Sequence, residues 1–288
     1  MREILNRVSS PFLAHTSKSL TSGSRCGLLL AAVVSALLPF SQAAKADSVT
    51  AYLSNLGPYT TDLNISFDAG TTKYNNVYAG GINWKILNWS PGTAPSPTLQ
   101  TFCIEGTEDV VLQSNSTWTF GSSVPLADAP KPWTSLTGLS GMGATKAAYL
   151  EEFWNKNYQA SWALNTTSTT SSANIAAAAF QLGVWEIVYD GLSDKFGSIT
   201  SANLSSGTFE VLNGTSGQQK LEVDAAVAML NKITGTYNQT TDVQVLSGVG
   251  VQDQIYGTSV PLPAALPAGL SLLGVLGLIG VRARRKTL

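Results

Sequence analysis

AAAAFQLGVWEIVY, residues 176–189, is an apolar run broken by one charge, Glu186, and one uncharged amide, Gln181. Its length and alanine content favour a helix over a strand, with Ser172 or a neighbour as its cap and Asp190-Gly191 closing it. At 100° per residue, Gln181 shares a face with Ala177, Ala178, Val184, Trp185 and Val188. A helix this apolar belongs inside a core, where an unpaired side-chain amide costs on the order of a kcal/mol per donor or acceptor. The alanines form a low shelf beside Gln181 that lets another backbone pass close over it. On composition alone, Gln181 hydrogen-bonds a neighbouring loop or strand, as most buried glutamines do.

Outward from that helix the pattern changes sign. Toward the N-terminus, residues 48–56, 63–67, 77–87, 99–105 and 109–113 are short, rich in β-branched and aromatic residues, and punctuated by Gly, Pro, Asn and Asp, which predicts strands. Gly80-Gly81 reads as a hairpin turn or a bulge. Helical spacing of Ala147, Leu150, Phe153 and Trp154 predicts a helix over 144–158, and a third follows over 218–233. Two last strands are expected at 243–246 and 252–256. Strands, then helices, then strands give an α+β fold: a mainly antiparallel sheet, sandwich or barrel packed with a small three-helix subdomain.

Both ends read as address labels. Residues 1–46 resemble an export signal, with Arg2, Arg7, Lys18 and Arg25 before the apolar run 27–40 and small residues at Ala44 and Ala46. At the other end, Val260-Pro261-Leu262-Pro263-Ala264 opens an uncharged stretch, 264–281, followed by Arg282, Arg284, Arg285 and Lys286. Such a segment is near the minimum for spanning a bilayer, with its basic end cytoplasmic. The three ordered parts resemble the PEP-CTERM sorting tail in its VPLPA form. That resemblance implies a Gram-negative exporter, handling by the export machinery and then by an exosortase-type enzyme, and a membrane-anchored periplasmic precursor later moved to the outer surface or released. A plain C-terminal anchor gives the same topology. The division expected is therefore signal 1–46, body 47–257 and sorting segment 258–288.

Between the ends, residues 47–260 hold eight lysines, no arginine and seventeen carboxylates, a formal charge of 8 − 17 = −9. This balance disfavours binding to nucleic acid. The one histidine, His15, and one of the two cysteines, Cys26, fall in the signal, leaving the body with no histidine and with Cys103 alone. Ser-His-Asp and Cys-His catalysis and the usual zinc sites are thereby removed, and no intramolecular disulfide can form. A hydrolase is the weakest reading, for want of a base and nucleophile, and no enzyme and no cofactor are implied. Glu105, Glu108 and Asp109 form a charge run with no second cluster at a spacing that suits calcium or a glycosidase pair.

Cys103 lies in Thr101-Phe102-Cys103-Ile104-Glu105, where alternation puts Cys103 and Glu105 on one face. Taken alone, the thiol packs as a small buried hydrophobe, and Glu105 is a solvated strand-end carboxylate. Phe102-Cys103-Ile104 together with Phe180-Gln181-Leu182-Gly183-Val184-Trp185 resembles the signature of the Cys-Gln thioester domains of bacterial surface adhesins: an aromatic or aliphatic residue before Cys, and hydrophobic-Gln-x-x-hydrophobic-Trp. The resemblance implies an internal thioester with Cys103 as thiol donor, Gln181 as acyl donor and Trp185 as the matching aromatic. Glu105, on the face of the sulfur, is then the candidate to move a proton to the departing ammonia. An incoming amine would open the thioester to an amide, so the function implied is one-shot covalent attachment to an amine-bearing surface or matrix target. The alternative is a non-covalent matrix or polysaccharide-associated structural protein with Cys103 as a buried free thiol.

Overall fold

Residues 48–66 form one strand, β1 (Ser48–Ser66), where the sequence pattern predicts two. The Gly57-Pro58 interruption is absorbed as a bulge. Pairing of β1 with β2 (Tyr74–Ser90) slips in register between Leu56 and Tyr59, and Gly80 opposite Tyr59 has φ 154°. A Cβ at Gly80 would lie 2.3 Å from the Pro58 carbonyl oxygen, so only glycine lets the two backbones meet there. Gly80-Gly81 is thus a bulge inside a strand. Further register slips along β1 bend this long hairpin around the core.

The computed structural model describes residues 48–90, 92–106, 116–121, 123–129, 141–164, 172–236, 242–248 and 250–258. The signal 1–46, the predicted strand 109–113, the sorting motif Val260–Ala264, the apolar stretch and the basic cluster lie outside them. Among the described residues no helix is long and apolar enough to cross a membrane.

The fold is α+β, and its sheet is antiparallel throughout. The remaining strands are β3 (Thr98–Cys103), β4 (Thr117–Phe120), β5 (Ser123–Val124), β6 (Glu210–Val211), β7 (Asp242–Gly248) and β8 (Val251–Thr258), in the order β4-β1-β2-β3-β8-β7-β5 with β6 on β1. β4 pairs with β1 at one end of that order while β5, three residues further on, pairs with β7 at the other. This short segment therefore joins the two edges and curls the sheet on itself. Gly121 makes the crossing possible, since a Cβ there would sit 2.9 Å from the Ser247 carbonyl. β4, β5 and β6 are too short to show a period in the sequence.

The three helices are α1 (Gly143–Asn157), α2 (Ser172–Tyr189) and α3 (Gly217–Leu230), with a single turn at Ser201–Leu204. Every residue from Ala177 to Val188 is buried, so α2 is covered all round by sheet and helices, as its composition requires. On one side Phe102, Phe153, Trp154, Tyr158, Trp162 and Phe180 form a continuous aromatic cluster joining β3, α1 and α2. Gly183 is where α1 comes closest: a Cβ there would lie 2.3 Å from the Phe153 ring. At its C-terminus α2 is closed by Gly191 (φ 71°), whose N–H donates to the carbonyls of Glu186 and Ile187. Lys146 of α1 donates to the carbonyls of Val188 and Tyr189, both at 2.9 Å, supplying positive charge to the helix end.

Candidate functional site

α2 lies against β1, β2 and β3, and the alanine shelf does admit a backbone over Gln181: that of Cys103. At Cys103 the ladder is incomplete on one side. β2 pairs with β3 only from Thr98 to Thr101, whereas β8 runs on past it, with Cys103 opposite Gln254 and the Ile104 N–H donating to the Asp253 carbonyl. The N–H and C=O of Cys103 therefore face the place β2 has left. Gln181 fills it. Its Oε1 accepts from the Cys103 N–H at 3.0 Å and its Nε2 donates to the Cys103 C=O at 2.6 Å. A helix side chain thus completes the β-ladder, and both ends of the Gln181 amide are satisfied by main chain.

The thiol faces elsewhere. Cys103 Sγ donates to Gln252 Oε1 at 2.7 Å and accepts from Gln254 Nε2 at 3.2 Å, two amides from one face of β8. Gln254 Nε2 also donates to Gln252 Oε1 (3.2 Å), and Gln252 Nε2 donates to the Glu105 main-chain carbonyl (2.5 Å). Behind them, Gln254 Oε1 accepts from the Thr101 hydroxyl, which accepts from the Trp84 indole N–H. Every group in this chain is buried. The structure thus brings Cys103 and Gln181 together through backbone, and brings the sulfur to Gln252 and Gln254.

Gln252 and Gln254 were not singled out from the sequence, although a signal was there. Val251-Gln252-Asp253-Gln254-Ile255 places two amides on one face of an otherwise apolar strand, and the reasoning applied to Gln181 holds for each of them.

Glu105 is buried rather than solvated, just beyond the end of β3. Its carboxylate Oε2 accepts from the Asp253 N–H at 3.4 Å, and its main-chain carbonyl holds the Gln252 amide nitrogen. Trp185 is buried beside the site, edge-on to Phe67 at 5.4 Å, and its indole N–H has no partner among the described residues. Glu186 faces Lys195, whose Nζ lies 3.6 Å from Glu186 Oε1. Burial pushes its carboxyl up to about 8, with the nearby Asp190 adding to the effect and Lys195 opposing it. Tyr78, whose hydroxyl donates to the Gly81 carbonyl, is held well above the usual phenol range by burial, with the charges of Cys103 and Tyr59 adding to it.

This arrangement sets a thiol against an amide carbonyl, the pair of groups that acyl transfer requires. The Gln252 carbonyl already receives a hydrogen bond from Gln254, so charge developing on Oε1 meets a fixed donor. The departing nitrogen rests on a main-chain carbonyl that holds it in place. With no histidine in the body, rate must come from holding the pair together, where effective molarities of about 10⁵ M or more are attainable.

No protein-family model and no curated protein matches the sequence. Among solved structures, the chain is similar to the N-terminal thioester domain of the fibronectin-binding protein SfbI from Streptococcus pyogenes. The identity is 12%, over 69% of this chain and 93% of that one, with a TM-score of 0.34. It is also similar to the N-terminal domain of the Streptococcus pyogenes pilus tip adhesin Cpa, at 14% identity over 73% and 98% of the two chains with a TM-score of 0.35. At these values the likeness carries no argument about chemistry, which rests on the atoms described above.

Proposed function

We propose that this is an exported surface protein that forms an internal thioester and uses it for covalent attachment to amine-bearing partners, with Gln252 as the acyl donor. The observation that carries the reading is the 2.7 Å contact between Cys103 Sγ and Gln252 Oε1, inside a buried network that polarises the same carbonyl. In forming the bond, sulfur attacks Gln252 Cδ, the C–N bond breaks, and the thiol proton leaves with the amide nitrogen as ammonia. Gln181, which the sequence signature offers as acyl donor, has the role of fixing the Cys103 backbone, because its amide is engaged on both sides by that backbone. Trp185 and Phe67 line the same cavity as Cys103 and Gln252. Glu105 supports the site through its main-chain carbonyl. Export and sorting to the outer surface rest on the signal, the Val260–Ala264 motif and the basic tail in the sequence.

The test is intact mass followed by fragment sequencing. The folded protein should weigh one ammonia less than its sequence. Fragment sequencing should place the modified residue at position 252 and leave an unmodified glutamine at 181. Cys103→Ser should return the full mass. Modification at 181 would restore Gln181 as the donor. Full mass in the wild-type protein would leave the second reading, a non-covalent structural protein, for which a thiol hydrogen-bonded within a satisfied amide network is the supporting observation.

A further inference from the structure

Cys103 and Gln252 are among the residues lining a cavity of about 440 Å³, together with Phe67, Lys73, Tyr78 and Trp185. Lys73 is exposed, so the cavity reaches solvent at that point. A sphere of this volume is about 9 Å across, and the flexible four-carbon stem of a lysine carries its amine about 6 Å from its Cα. One cavity is therefore lined both by a lysine of this chain and by the glutamine whose carbonyl the thioester would activate.

Lys73 also differs from the other described lysines. Lys146 is bound to the end of α2, Lys156 to Glu152, Lys195 to Glu186, Lys220 to Asp224 and Lys232 to Asn157, while Lys85 lies over the Tyr52 ring. Lys73 has no hydrogen bond or ion pair with any described residue, and among the described residues no carboxylate lines its cavity. The loop that carries it is nevertheless well held. The Ser66 hydroxyl donates to the Asp68 carboxylate and accepts from the Gly70 N–H, and the Asp68 carboxylate accepts from the Thr72 N–H. A positioned loop thus presents, at the mouth of the cavity, an amine with no partner among the described residues.

We infer that Lys73 is a built-in acceptor for the thioester, so that in the absence of an outside amine the protein closes into an intramolecular Lys73–Gln252 isopeptide. The inference rests on the Cys103–Gln252 thioester proposed above. Once deprotonated, Lys73 Nζ attacks Gln252 Cδ, the C–N bond forms as the C–S bond breaks, and the sulfur takes up the surplus amine proton to become the Cys103 thiol again. Together with the ammonia released in the first step, one lysine and one glutamine become one amide. Cys103 is regenerated and no further reactant is consumed. The product staples the β1–β2 loop to β8 and ends the reactivity of the site. Attachment to an outside partner is then a competition with self-closure.

The two covalent forms have the same mass and differ in the state of the thiol. The full chain and its Lys73→Arg variant are each held at neutral pH, denatured with iodoacetamide, and read at the Cys103 peptide and for linked peptides. Arginine keeps the charge and removes the nucleophile. The wild-type protein should be one ammonia light, with Cys103 alkylated and a peptide joining Lys73 to Gln252. The variant should be one ammonia light with Cys103 blocked, and should take up methylamine. A wild-type protein that is one ammonia light with Cys103 blocked and no linked peptide overturns the inference and leaves the thioester standing. Linkage to a different lysine also overturns it. Full sequence mass with Cys103 alkylated removes the thioester itself, and the inference with it.

Discussion

Gln181 shows how much a single amide can do when its partners are main chain. It closes the ladder gap opposite Cys103, and leucine in its place would leave a buried N–H and a buried C=O unpaired. At about 1–3 kcal/mol for each lost partner, Gln181→Leu should destabilise the fold by on the order of 3 kcal/mol in urea unfolding. Fragment sequencing should still place any ammonia loss at position 252, at a slower rate than in the wild type. Gly183 is the second residue whose identity is set by contact. Gly183→Ala would gain roughly 1 kcal/mol in helix propensity. It would also drive a methyl group into the Phe153 ring, and overpacking of this kind costs about 1–3 kcal/mol. Net destabilisation is expected, with a lower midpoint in thermal unfolding, and Phe153→Leu should partly relieve it. The hydrophobic-Gln-x-x-hydrophobic-Trp spacing made Gln181 and Trp185 legible in the sequence. Which atoms of Cys103 the amide would meet was not legible, because that depends on where β2 stops.

At the scale of the element, α2 is an apolar helix with one buried carboxyl. Neither oxygen of Glu186 has a hydrogen bond among the described residues, and Lys195 stands 3.6 Å away at the surface side. Burial holds the folded carboxyl at about 8, against an ordinary 4.5. Below 4.5 the group is protonated in both states and exerts no pull on the folding equilibrium. Between 4.5 and 8 the unfolded chain ionises first, so this group's contribution to stability falls steadily as pH rises and levels off above about 8. Glu186→Gln should remove that slope and stabilise the protein near pH 8 by a few kcal/mol. Denaturant midpoints of both forms, taken from pH 4 to 9, would check this. Glu152 on α1 shows the opposite balance. Burial alone would raise its carboxyl, but hydrogen bonds from Lys156, Thr234 and Gly235 outweigh burial and hold it below the ordinary range. The same residue type in two helices is thus a liability in one and a clamp on the chain after α3 in the other.

For the whole molecule, the covalent bond proposed at Cys103 spans 149 residues of sequence, from β3 to the last strand. A cross-link closing a loop of that length restricts the unfolded chain by about 5 kcal/mol in the chain-entropy model. Cys103→Ala, which can form neither the thioester nor the isopeptide, should lower stability by a value of that order while leaving the folded-state circular dichroism unchanged. A change below about 1 kcal/mol would argue that no cross-link exists in the wild-type protein. The bond would also join β3 to β8, the two strands whose pairing links the first part of the chain to its end across the curled sheet.

The sequence by itself determined the α+β class, the three main helices to within a few residues, and the burial of α2. It also isolated Cys103 by subtraction. All of these follow from local period, composition and residue counts, which are properties of neighbours along the chain. The tertiary structure alone decided that 48–66 is one bulged strand, because a bulge is a relation between two strands and not a feature of one. It also decided the orientation of the thiol. Cys103, Gln181, Gln252 and Gln254 come from three separated segments, and only their packing shows that Gln181 meets the backbone of Cys103 while the sulfur meets β8. A glutamine's need for a partner is written in its chemistry, whereas the identity of that partner is fixed by which chain segments come to lie within about 3 Å of it.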